Sequence, residues 1–61
     1  MSKHIKMVLN RFAERALRLG KDSAETYEHL FASEARYGEA LQRIHDAAIE
    51  IYYIAKDGAE E

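Results

Sequence analysis

The chain of 61 residues has no cysteine, no proline and no tryptophan, and only three glycines. Without cysteine, disulfide staples and thiolate zinc sites are excluded. Without proline, no residue of the interior blocks a helix sterically. Charges interrupt the apolar stretches every few positions, so no run approaches the roughly 18 to 20 apolar residues that a membrane-spanning helix requires. The first residues carry no signal-peptide core either, and the expectation is one cytoplasmic domain over residues 1–61. A chain this short buries only about 60% of the surface it exposes when unfolded, and a single core of this size supplies ~3–5 kcal/mol. With disulfides and zinc excluded, oligomerisation is the remaining common remedy.

What the sequence does contain is helix-forming: alanine, leucine, glutamate, lysine and arginine dominate, and no strand-like alternation occurs. Ser2 can cap a first helix in which Ile5, Val8, Leu9, Phe12, Ala16 and Leu19 form one apolar stripe. Gly20 reads as its stop. Asp22-Ser23-Ala24-Glu25 has the reciprocal pattern of a capping box, which predicts a tight turn over Gly20 to Asp22. The apolar period then continues through Tyr27, Leu30, Tyr37, Leu41, Ile44, Ala48, Ile51 and Ala55. No Ser, Thr, Asp or Asn between Tyr37 and Leu41 restarts a helix at Gly38, so the pattern predicts an all-α hairpin. Its short helix covers about residues 2–19, its long helix about 23–56, and a frayed acidic tail covers 57–61.

On that reading the long helix spans roughly 50 Å and the short one about 27 Å. The apolar segment Leu41 to Ala55 then overhangs the first helix. An antiparallel homodimer covers the overhang and makes a four-helix bundle. A two-fold axis midway along the long helix sets Gly38 opposite Leu41, Tyr27 opposite Tyr52 and Glu34 opposite His45 of the second copy. The expected dimer interface is therefore Tyr27, Leu30, Glu34, Gly38, Leu41, Ile44, His45, Ala48, Ile51, Tyr52 and Ala55. The pair of Glu34 and His45 reads as a structural register contact before it reads as a proton-transfer or pH-switching site.

Catalysis is not expected. Ser2, Ser23, Ser33 and Thr26 lack a plausible base and orienting acid, no glycine-rich phosphate loop is present, and His4 and His29 have no convergent ligands at metal spacing. No cofactor and no metal are expected. Charge is more informative: residues 1–21 hold six basic residues against Glu14, a balance of +5, and residues 22–61 hold three against ten acids, a balance of −7. Arg11, Arg15 and Arg18 lie on one ridge, with Lys3, Lys6 and Asn10 extending it. This ridge is either a face for phosphates or another partner, or a solvated edge that meets acids of the second helix. Met7 and Leu17, off the apolar stripe, and Tyr53, near Asp46 and Glu50, are candidate protein-docking residues.

Two resemblances bear on function. Met1-Ser2-Lys3, Lys6 and Leu9-Asn10, together with Ile44-His45-Asp46, Ala48, Glu50 and Ile51-Tyr52, resemble the ends of the plasmid Rop family of short hairpins. That resemblance implies dimerisation into a four-helix bundle and binding of paired RNA loops through Lys3, Lys6 and Asn10. Glu14, Arg18 and Glu25 depart from the family's aromatic, glutamine and lysine, and the turn falls elsewhere. The run from Val8 to Ala16, followed by Ala24 to Leu30, is similar to the small helical proteins of the early exo–xis region of lambdoid phages. It implies a phage-encoded accessory protein in the host cytoplasm that acts through contacts with a host protein. Together these readings predict a non-enzymatic regulatory homodimer with no membrane partner. The alternative is an RNA- or DNA-binding regulator that uses the basic face of the first helix.

Overall fold

The structure, a computed structural model, describes residues 2–60, with Ala32 described by its backbone alone. Two α-helices of equal length form a hairpin. Helix α1 runs over Lys3–Glu28 and helix α2 over Ala35–Glu60, 26 residues each, and a single 3-10 turn at Ala32–Glu34 leads into α2. Ser2 caps α1 with its Oγ, which accepts from the Ile5 N–H at 3.3 Å. No described helix is long and apolar enough to cross a membrane.

The turn lies about ten residues beyond the position the local signals predict. α1 passes straight through Gly20, Lys21 and Asp22, and no glycine has a positive φ. The carboxylate of Asp22 caps nothing among the described hydrogen bonds; its carbonyl accepts from Thr26 Oγ1 at 2.7 Å. The physical reason is packing. Ala13, Ala16, Gly20 and Ser23, spaced by three and four, are the buried residues of α1, and Gly38, Ala48, Ala55 and Ala59 are those of α2. Extended by Leu9, Tyr27 and Leu30 on one helix and by Leu41, His45 and Tyr52 on the other, each set is an unbroken heptad seam. Stopping α1 at Gly20 would abandon half of that seam, and a weak local stop signal does not outweigh it.

The actual turn is built without glycine, asparagine or proline. The N–H of His29 reaches the Thr26 carbonyl at 3.1 Å and that of Leu30 reaches the Tyr27 carbonyl at 3.2 Å, so α1 ends in tightened three-residue bonds. Phe31 is extended, with φ −79° and ψ 155°, and its N–H donates to the Glu34 carboxylate at 3.2 Å. Glu34 therefore supplies the back-bonding half of a capping box, while Phe31 has no side-chain acceptor for the other half. With equal helices, Leu41 to Ala55 is no overhang: α1 covers it within the same chain. Helix α2 continues over Asp57 to Glu60, where Ala59 is buried and Leu9 lies beside Gly58. Glu61 lies outside the described residues.

The seam works by pairing a small residue with its opposite. A methyl group added at Gly20 would meet the Ala48 Cβ at 3.7 Å and the His45 ring at 3.8 Å, which is ordinary contact. One added at Gly38 would meet the Tyr27 ring at 3.0 Å and Leu30 at 3.4 Å. Two stability changes of opposite sign are expected. Gly20→Ala removes a helix-interior glycine into available space and stabilises by about 0.5–1 kcal/mol, a rise of several degrees in Tm. Gly38→Val crowds the ring and destabilises by about 1–3 kcal/mol. Thermal denaturation followed by circular dichroism measures both, and a lower Tm for Gly20→Ala would restore the turn at Gly20.

Candidate functional site

Because the seam is filled by small residues, the large ones are left beside it. Among the described residues the buried apolar ones are all alanines, and no large side chain is fully buried. In α1, Phe12 and Leu19 stand just before Ala13 and Gly20, with Ile5 one heptad earlier; in α2, Tyr37, Ile44 and Ile51 stand just before Gly38, His45 and Tyr52. Each series repeats every seven residues, so each keeps to one flank of its helix. The two series share one side of the hairpin, where Phe12, Arg15, Ala16, Leu19 and Ile51 line a shallow hollow of about 220 Å³. With Ile54, the seven large side chains of this flank are between 41% and 62% exposed.

The opposite flank is of mixed character. The position just after a seam residue holds Asn10, Leu17 and Ala24 in α1, and Gln42, Ile49 and Lys56 in α2. Leu17, Lys21, Ala24, Ile49 and Tyr53 surround a hollow of about 370 Å³ above the small residues of the seam. Leu17 and Tyr53, far apart in sequence, thus meet across one groove. Met7 is exposed but belongs to neither hollow.

The expected interface residues divide between two roles. Tyr27, Leu30, Gly38 and Leu41 belong to the seam within one chain, as do His45, Ala48, Tyr52 and Ala55. Ile44 and Ile51 lie on the apolar flank. Glu34 closes the turn through Phe31, and His45 lies beside Gly20 and 3.4 Å from Asp46. Gly38 makes room for Tyr27 and Leu30 of its own chain. The helix-one stripe read from sequence is a mixture: Leu9 and Ala16 are seam, whereas Ile5, Phe12 and Leu19 are flank. The signal that separates them is the heptad of small residues, Ala13, Ala16, Gly20 and Ser23 facing Ala48, Ala55 and Ala59.

No family model, curated protein or solved structure matches this chain. Function therefore has to be read from the faces themselves.

Lys3, Lys6, Arg11 and Arg18 are exposed on α1, Asn10 is half-buried, and Arg15 borders the apolar hollow. Among the described residues none of the basic ones forms an ion pair with α2. The ion pairs present are Arg43 with Glu39 at 3.2 Å within α2, and His45 with Asp46, which holds only when the imidazole is protonated. Among those same residues, no three His, Asp or Glu side chains converge as a metal site would require.

Proposed function

We propose that this is a small accessory protein that acts by contact rather than chemistry: it pairs with a second copy into an antiparallel four-helix bundle and regulates a host protein through its outer surface. The resemblance to phage early-region proteins supplies the setting, a phage product in the host cytoplasm. The observation that carries the reading is the apolar flank of Ile5, Phe12, Leu19, Tyr37, Ile44, Ile51 and Ile54.

Surface area supports a second copy as the cover of that flank. The hairpin exposes 5095 Å². A compact protein of 7.0 kDa exposes roughly 4,000 Å². The surplus, on the order of 1,000 Å², is comparable with the ~800 Å² that each partner contributes to an ordinary stable interface. The hollow beside Leu19 and Ile51 lies near the middle of the hairpin. A two-fold axis through it places the turns of the two copies at opposite ends and lays apolar flank on apolar flank. Each half-exposed aliphatic side chain covered this way contributes on the order of 1 kcal/mol before the costs of association.

Sedimentation equilibrium should give twice the 7.0 kDa chain mass, and Tm should rise with protein concentration. Leu19→Glu or Ile51→Glu should abolish the dimer and lower Tm, whereas Ile49→Glu on the opposite flank should leave the mass unchanged. A monomer at all concentrations would sink this reading.

The alternative, an RNA- or DNA-binding regulator, is favoured by one observation: Arg11, Arg15 and Arg18 carry no ion pair with α2 among the described residues. It predicts a gel shift that weakens steeply with salt and is lost when all three are changed to Glu. The contact reading predicts no shift even at low salt.

A further inference from the structure

The flank opposite the apolar one carries a second feature. Its hollow beside Leu17 and Tyr53 shares Ala24 and His45 with a neighbouring hollow of about 220 Å³, which in turn shares Tyr27 and Gln42 with a third of about 400 Å³. The third ends at Phe31, the most exposed large apolar residue among those described, at 74%. End to end they form one groove between the helices, from Leu17 to the turn, roughly 20 Å long at ~1.5 Å per residue. Buried Gly20, Gly38 and Ala48 line it, which lets another backbone approach closely.

We propose that this groove takes one amphipathic helix of a partner protein, about four turns long, with aliphatic anchors at spacings of three and four. This rests on the reading of the protein as one that works by contact, and it names the place and the chemistry of that contact. Charge selects the occupant and its direction. Lys21 lines the groove away from the turn, and Glu28 and Glu39 line it toward the turn. Glu39 is shared with Arg43, but Glu28 has no ion pair among the described residues. A helix with basic residues toward its start beside Glu28 and acidic residues toward its end, about two turns later, beside Lys21 matches both charges, and its macrodipole runs in the same sense. A second hairpin's apolar flank does not suit this site, because Lys21, Glu28 and Gln42 interrupt it. In a dimer closed through Phe12, Leu19 and Ile51, the groove faces outward and stays open.

The test uses the whole chain and a labelled synthetic helix of about 16 residues, with leucines at i, i+4, i+7 and i+11, lysines in its first turn and glutamates in its last. Controls replace the leucines by serine, or make both end turns acidic or both basic. Fluorescence anisotropy should show the parent peptide binding at least about tenfold more tightly than the serine control, and about threefold or more tightly than either uniformly charged peptide. Leu17→Glu and Tyr53→Glu should each weaken it about tenfold or more while sedimentation shows the wild-type mass and circular dichroism the wild-type helicity. Lys21→Glu should reverse the preference between the two uniformly charged controls in favour of the all-basic one. Equal binding of the serine control, no saturable binding of any peptide, or wild-type binding by both the Leu17 and Tyr53 variants would overturn the groove. Assembly of wild-type protein beyond the dimer that competes with the peptide would assign the groove to further copies and overturn it as well. A dimer that binds no peptide removes the groove alone; a monomer that binds it removes the dimer alone.

Discussion

Close approach of two helices through small residues is the constraint on which the rest of this molecule depends. Ala13, Ala16, Gly20 and Ser23 face Ala48, Ala55 and Ala59, and the larger seam residues meet small ones, as Leu30 and Tyr27 meet Gly38. Such a seam has many short contacts but little volume. Dispersion between well-packed atoms is gained along its whole length, yet little apolar area leaves water at any one residue. The large side chains, excluded from a gap too narrow for them, line both flanks instead. An alanine core inside the hairpin and an aliphatic surface outside it are thus the same fact seen from two sides. That fact leaves a short chain without disulfides with an uncovered apolar flank.

The same constraint explains which parts of the fold the sequence discloses. Helicity, the hairpin and the Ser2 cap follow from local chemistry, and local chemistry decides them here. The position of the turn does not. Gly20 followed by Asp22, Ser23, Ala24 and Glu25 satisfies the local grammar of a stop and a start, whereas His29 to Ser33 contains no residue with a strong turn preference. Each local signal is worth on the order of 1 kcal/mol. Continuing α1 for two further turns aligns Ser23, Tyr27 and Leu30 with His45, Leu41 and Gly38, and that gain accrues at every level of the seam. A glycine counted as a helix stop has to be checked first as a seam residue, where lacking a side chain serves packing rather than conformation.

The candidate faces were legible to a different degree. Periodicity alone assigns Ile44 and Ile51 to an expected interface, and the fold places them on the apolar flank. The same period places Phe12 and Leu19 on the hairpin's own stripe, because a 3.6-residue period cannot distinguish a seam from the position beside it. Only the size of the residues makes that distinction: the smaller ones mark closest approach. Leu17 and Tyr53 are single apolar residues off the stripe in sequence, and nothing local relates two positions so far apart. The register of the hairpin brings them together, and that register depends on the turn.

The two flanks differ in a way that composition averages away. On one, Phe12, Leu19, Tyr37, Ile44 and Ile51 each stand just before a seam residue at heptad spacing, and Arg15 is the charged residue that borders their hollow. On the other, apolar residues alternate with Lys21, Glu28 and Gln42, so shape is accompanied by polarity. An aliphatic surface of the first kind suits an identical surface related by a two-fold axis, since self-complementarity needs only matching area. A groove with a basic end and an acidic end cannot lie flat on its own copy in that way; it suits a partner with a direction. If the first flank closes the dimer, the two-fold axis sets two such grooves on opposite outer sides of the bundle. A partner presenting two helices would then be held at both. The gain from the second contact would be set by the distance between the grooves and the length of chain joining the helices, with no further contact required.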